Sequence, residues 1–341
     1  MAVYEPRVNI VMLHWLHPER TARCLSSLNS QTYSNFEIVF INNSNKENKS
    51  FSRFCRMPFN YIENSVNLGV AKGRNLGVQN ALGKGADYIL FLDSDTITHP
   101  DLLAELVHAA EARHMVGLVG PKIYQMKESP EIQNVPSSKG LKGIGDTSLH
   151  KISASGPKII WRAGCPSWRL FYLHSLPYWL QFFWLLSGGK GAQKWLDLSR
   201  GEGEEDKGQY DRMEEMDFII GCCQLIKREV FEKVGFLDEG FSPYGAEDID
   251  FCFRVKEAGY GLLYAPGALL WHCRQSSFTE EFDRIFNNNC HILRLARKNL
   301  SPVYFWGLFV PDLLFCIIPM KMVDSLRKKR LDLLNALGRS L

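Results

Sequence analysis

Short apolar runs alternate with amphipathic stretches over the first 125 residues of the chain. Val8–Leu13, Glu37–Ile41, Tyr61–Glu63, Tyr88–Leu92 and Val116–Val119 are brief and rich in β-branched and aromatic residues, which predicts strands. The segments Glu19–Gln31, Gly69–Leu82 and Pro100–Arg113 carry helical patterns between them. Such alternation predicts an α/β fold with a mostly parallel central sheet and helices on both faces. In open sheets of that kind ligands bind beyond the carboxyl ends of the strands, which is where His14, Asn42, Asn43, Asp93, Ser94 and Asp95 fall.

The alternation stops near residue 125. From about Lys127 to Lys158 the chain is rich in Ser, Gly, Pro and Lys, and from Glu202 to Asp217 it holds eight acids against two bases. Both stretches read as mobile loops, either solvated faces or lids over a site. Between them Trp168–Leu186 is dense in aromatics but contains Arg169, His174 and Gln181. A second apolar stretch, Pro302–Met320, has 19 residues, three prolines and Asp312 near its middle, so neither predicts a membrane span. Lys321 and the run Arg327–Arg330 come next, with apolar residues interspersed, a pattern suited either to an anionic membrane surface or to a packed C-terminal helix with a solvated basic face. The expected organisation is therefore residues 1–125 as one half of the central domain, 126–215 as a variable insertion, 216–275 as the second half and 276–341 as a C-terminal helical appendage.

At 341 residues the chain is long enough for an enzyme, and its 45% apolar and 23% charged residues are ordinary for a folded soluble protein. A net charge of +3 creates no general field for nucleic acid, and no nucleic-acid-binding signature is present. Nine cysteines, scattered without a Cys-x-x-Cys pair, fit a reducing compartment. The first apolar run is too short for a signal peptide's core, so the expectation is a cytoplasmic protein, peripheral on the inner face of the membrane.

Candidate chemistry begins with Asp93 and Asp95, two carboxylates one residue apart at the end of an apolar strand. Where such a strand breaks into a turn, both can converge on one point, and a hard divalent cation, Mg2+ or Mn2+, accepts one or two protein carboxylates and completes its shell with substrate phosphates. The same pattern also occurs in plain solvated turns. Glu247 and Asp248 stand at the predicted start of a helix, where acids are favoured by its dipole whether or not they do chemistry. His272 closes a further apolar run, Ala268–Leu270, as a metal ligand or as a structural histidine.

Together these residues resemble the nucleotide-sugar-dependent glycosyltransferases of family 2, in particular the non-processive rhamnosyltransferase-like branch. The likeness covers Val8–Asn43, Ser65–Gly77, Tyr88–Leu102 and Phe218–His272, somewhat under half of the chain. It implies a GT-A fold and an inverting, metal-dependent transfer from a nucleotide-diphosphate sugar to a hydroxyl of a saccharide, lipid-linked in view of the interfacial stretches, in cell-surface polysaccharide synthesis. By that resemblance Asp95 and Asp93 are metal ligands, with Asp93 and Ser94 beside the donor, and His272 is an additional ligand. Asp248 is the general base and Glu247 binds the acceptor. His14, Asn42, Asn43, Asn67, Gly69 and Arg74 line the donor site, with Asn42 standing where the family has an acid facing the nucleobase. A processive polysaccharide synthase would bring transmembrane helices and a Gln-x-x-Arg-Trp segment, and a pyrophosphorylase would bring a Gly-rich loop that His14–His17 does not provide. A catalytically inactive sugar- or lipid-binding scaffold is the alternative from another class.

Overall fold

The computed structural model describes residues 4–44, 49–113, 115–126, 158–163, 200–273, 290–291, 294–299 and 301–309. The chain forms two compact units, Met1–Ser167 with Asp197–Gln275, and Trp168–Leu196 with Ser276–Leu341. In the first unit Val8–His14 forms strand β1, whose alternate residues enter different apolar layers, as a period of two requires. Val8, Ile10 and Met12 join one layer, with Cys24 and Leu25 from helix α1 (Pro18–Ser27) and Leu102, Leu103 and Leu106 from α3 (Leu102–Glu111). Val11 joins the other, with Ala71, Val78 and Ala81 from α2 (Val70–Gly83), Val230 and Phe231 from α4 (Arg228–Val234), and Phe251 and Val255 from α5 (Glu247–Glu257).

The predicted parallel half consists of β3 (Phe59–Glu63), β2 (Phe36–Asn42), β1 and β4 (Tyr88–Asp93), side by side in that order. The sheet as a whole is mixed. Strand β9 (Cys223–Lys227) runs antiparallel between β4 and β6 (Val116–Met126), and β10 (Gly261–Cys273) is parallel to β6. Residues Thr96–Thr98, just past the turn at Ser94–Asp95, form a short strand, β5, antiparallel to β10. Helix α2 reaches the sheet closely because it carries glycine where it meets β1: a Cβ on Gly73 would lie 2.5 Å from Leu13, and one on Gly77 would lie 2.4 Å from Val11.

The acidic run 202–217 is a docked layer and not a uniformly solvated loop. Its main chain extends beside β7 (Ile160–Arg162): Ile160 donates to the Glu204 carbonyl and Gly203 to that of Ile160, both at 2.9 Å. Strand β8 (Glu214–Glu215) pairs with β10. The cause is Lys122, only 2% exposed on β6, whose ammonium meets Asp206 at 3.0 Å and also Asp211. The Asp206 carboxyl is also held by the hydroxyl of Tyr124, and desolvation, which would raise it, is outweighed by these partners so that it stays below the ordinary carboxylate range.

In the second unit Pro302–Tyr304 is a short helix continued by a π-helical turn, Phe305–Phe309. Residues 127–157 of the loop expected over 127–158, the aromatic stretch 168–186, the remainder of 302–320 and the basic run after 320 lie outside the described residues. No described helix is long and apolar enough to cross a membrane.

Replacing Lys122 by Met should destabilise the first unit by about 2–4 kcal/mol, because it strands Asp206 without its cation; denaturant unfolding of the variant beside wild type would measure this. An unchanged midpoint would show that the acidic run is not anchored through Lys122.

Candidate functional site

Strand pairing assembles the site. The β5–β10 register sets His272 opposite Thr96, one residue from Asp95, and the β4–β9 register sets Leu92 opposite Cys223, so the segment entering β9 lies beside Asp93. The Asp93 amide donates to the Cys222 carbonyl at 2.9 Å and the Cys273 amide to that of Asp95 at 3.1 Å, which fixes the main chain that carries both carboxylates. Ser94 occupies the turn between them. Nε2 of His272 lies 3.4 Å from Asp95 Oδ1 and 3.9 Å from Asp93 Oδ2. Among the described residues Asp93, Asp95 and His272 form the group able to hold a metal, with one donor atom from each all within 4.8 Å of one another. Donors about 2.0–2.2 Å from a common ion would have such mutual separations, and two carboxylates with one imidazole suit Mg2+ or Mn2+. Trp161 of β7 stacks on the His272 ring, with centroids 4.4 Å apart and planes at 9°.

A second pair of carboxylates is joined to the first by a buried guanidinium. Arg74 of α2 donates to Asp93 Oδ1 at 2.7 Å and to the Gly221 carbonyl at 2.8 Å, lies with its carbon 5.0 Å from the Phe91 ring centre, and reaches to 4.0 Å from Glu247 Oε1. Gly221 in turn donates its N–H to Asp248 Oδ2 at 2.8 Å. A side chain at 221 would press on both partners: a Cβ there would lie 2.9 Å from Arg74 Nη1 and 3.0 Å from Asp248 Oδ2. Glu247 and Asp248 open α5 as the sequence predicts, after Ala246 in the left-handed region at φ 66°. The Asp248 Oδ1 accepts from the Ile249 amide and the Glu247 Oε2 from the Gly245 amide.

These contacts divide the protons unevenly. Desolvation alone would raise the pKa of Asp93, but the His272 imidazole 3.9 Å away and the guanidinium of Arg74 hold it below the ordinary value. Asp95 is raised by desolvation and by the neighbouring Asp93, against the pull of His272 and of Arg20 on α1. Glu247 is pushed up to about 7 by burial first and by the charge of Asp248 second, with Arg74 opposing.

The remaining predicted residues sit at the same end of the sheet. His14 ends β1 in the core, its Nδ1 2.8 Å from Thr21 Oγ1 and its ring 4.6 Å from that of Phe51; burial, then His17, lowers its pKa to about 4. Asn42 is fully buried at the end of β2, donating to the Tyr61 hydroxyl and accepting from the amide and hydroxyl of Ser44. Asn43 donates to Asn67 Oδ1 and to the Gly69 carbonyl and accepts from Asn64, so it organises the 64–69 loop. Gly69 adopts φ +76°, and a Cβ there would lie 2.8 Å from the Pro243 carbonyl. The close approach at Gly69 is thus to the segment leading into α5. Sequence reasoning missed the roles of Gly221, Arg20 and Trp161: Gly221 and Trp161 reach the site through the pairing of distant strands, and Arg20 reaches it from helix α1.

The model for glycosyl transferase family 2 matches residues 10–153, and one described as the N-terminal domain of galactosyltransferase matches residues 206–269. The uncharacterized glycosyltransferase YfnE of Bacillus subtilis is 26% identical over 90% of this chain and 76% of its own length. The O-antigen biosynthesis protein RfbC of Myxococcus xanthus is 24% identical over 80% of this chain and 18% of its own. The chain spans only 9–31% of the length of the first curated relatives it matches. Among solved structures GalNAc-T7 with UDP, GalNAc and Mn2+ superposes with a TM-score of 0.54 at 15% identity, over 86% of this chain and 48% of that one, which shows a shared GT-A fold.

A carboxyl harder to ionise in the folded than in the unfolded chain costs stability as pH rises between its two pKa values. For Glu247 that window runs from the ordinary 4.5 to about 7, so its contribution is complete below the window and lost above it. The stability advantage of wild type over Glu247→Gln should therefore fall by roughly 2–3 kcal/mol between pH 4.5 and 7.5. Unfolding curves across that range test this, and a pH-independent difference would refute it.

Proposed function

We propose that this chain, which belongs to glycosyl transferase family 2, transfers a hexosyl or deoxyhexosyl unit from a nucleotide-diphosphate sugar to a saccharide hydroxyl, with inversion at the anomeric carbon. The observation that carries this reading is the joining of two acid centres, Asp93–Asp95–His272 and Glu247–Asp248, through Arg74 and Gly221.

The donor lies across the carboxyl ends of β1, β2 and β4, against loops shaped by His14, Asn42, Asn43, Asn67 and Gly69, with Ser94 in the turn beneath it. Asp93, Asp95 and His272 would hold a divalent ion, Mg2+ or Mn2+, which when bound would offset the negative charge of a departing diphosphate; the presence of Mn2+ with UDP in GalNAc-T7 supports that assignment. A sugar hydroxyl ionises far above neutral pH and needs a positioned carboxylate to take its proton as it attacks. Asp248 takes that proton, and Gly221 N–H and the Ile249 amide fix its carboxylate for the task. Glu247, half-protonated near neutrality, can donate to or accept from the acceptor's hydroxyls. With base and leaving group on opposite sides of the sugar, one in-line displacement inverts the centre.

The acceptor is a lipid-linked saccharide of cell-surface polysaccharide synthesis, met at the cytoplasmic face of a membrane. RfbC's printed role in O-antigen biosynthesis supports the first part of that reading. The second unit's Val303 and Trp306, 80% and 65% exposed, support the other, as side chains suited to a lipid interface.

In a panel of UDP-, GDP- and dTDP-sugars, one donor should raise the melting temperature only with Mg2+ or Mn2+, and Asp95→Ala should abolish the effect. Asp248→Asn should keep donor binding while turnover falls by about 10²–10⁴; full turnover in that variant would remove Asp248 from the role of base. Vesicles containing phosphatidylserine should co-sediment with the full chain, less so with Trp306→Ala and at high salt. No sedimentation with anionic vesicles at physiological salt would discard the membrane part of the reading.

A further inference from the structure

Trp161 lies outside every motif that the family resemblance supplies, yet it makes the closest ring contact in the site. Its indole is 8% exposed and lies flat on His272, centroids 4.4 Å apart and planes at 9°. The lone pair with which an imidazole nitrogen binds a metal lies in the plane of the ring. Rotation of histidine about its second side-chain torsion is broad and soft, so a parallel plate against one face confines that plane.

The plate is itself held from two sides. On one side β7 pairs antiparallel with β6, Ile123 opposite Arg162 and Tyr124 opposite Ile160, while β6 sets Gln125 opposite His272 on β10. On the other side the acidic run pairs with the same three-residue strand. Ile160 donates to Glu204 O, Gly203 to Ile160 O and Ala163 to Arg200 O, each at 2.9 Å, and Ile159 bridges Glu205. That run is clamped in turn by Lys122 through Asp206 and Asp211, and by Arg200 through Glu214 at 2.6 Å. The docked acidic layer thus has a purpose that a solvated loop would not serve.

We propose that Trp161 is a positioning residue of the metal centre, fixing the plane of the His272 imidazole so that Nε2 is aimed between Asp93 and Asp95 before any ion arrives. This rests on the reading of those three residues as a metal site. It is a role distinct from that of a sugar-stacking platform, since the face turned to His272 is already occupied.

The test uses Mn2+ alone, with unbound Mn2+ read by electron paramagnetic resonance against the full chain. Trp161→Leu and Trp161→Met, apolar but without a ring, should bind Mn2+ about 10- to 100-fold more weakly than wild type, as is usual when support behind a metal ligand is lost. Trp161→Phe, which keeps a ring, should recover most of that loss, and melting curves should not track the same order. Wild-type affinity in the variants lacking a ring would overturn the proposal. A second measurement needs no folded Trp161 variant: the His272 ring C–H resonances, assigned by their loss in His272→Asn, should be shifted upfield by the indole in the wild-type chain. Unshifted resonances would also overturn it. Wild type failing to take up Mn2+, or Asp95→Ala matching it, would instead sink the metal reading itself, and those results are separable from a failure confined to Trp161.

Discussion

Asp93, Asp95, Glu247 and Asp248 meet at one end of a single sheet, and carboxylates that close repel one another unless cations are fixed among them. Arg74 is the fixed cation to which both pairs are tied. Its guanidinium bonds to Asp93 and to the Gly221 carbonyl, and it comes within 4.0 Å of Glu247. A lysine could not hold the same positions, because one point charge cannot serve several acceptors in a planar fork. The Gly221 peptide carries the link onward, accepting from Arg74 at its carbonyl while the N–H binds Asp248. Arg74 is therefore a strut between the two acid centres.

The rest of the fold can be understood as the means of bringing that strut into place. Helix α2 must lie close to β1 for Arg74 to reach under the sheet's end, and Gly73 on the same helix makes that closeness possible. Strand β9 must run antiparallel to β4, since only then does Gly221, which precedes it, lie beside Asp93, which ends β4. The mixed sheet is the consequence. A uniformly parallel sheet would have delivered the start of β9 to the opposite end of the sheet from the acids.

Much of this architecture is legible in local signals. The parallel half of the sheet, α2, α3 and the acidic start of α5 come from apolar period and from acids at a helix N-terminus. Asp93 and Asp95 are legible because a carboxylate pair ending a buried strand is unusual chemistry at a recognisable place. Strand β5 is not, since Thr96–Thr98 is only three residues long between a turn and a proline, and it extends only because β10 offers it a partner. The acidic run 202–217 misleads in the same way. Its charge spells solvent, and nothing local in Lys122 announces that this lysine is buried against it.

Local pattern alone specifies the chemistry available and which residues must stand at strand ends, because apolar periodicity dictates where each strand stops and which side chains come next. Which of those residues meet depends on how distant segments of the chain pair and pack. His272 is 177 positions from Asp95 (272 − 95), and its place opposite Thr96 is a matter of register between two strands that no local pattern encodes. The stacking of Trp161 on His272 is more remote still from any motif, since it depends on a three-residue strand held between β6 and a docked acidic layer. Side-chain identity sets what each group can do, whereas pairing register sets where it does it.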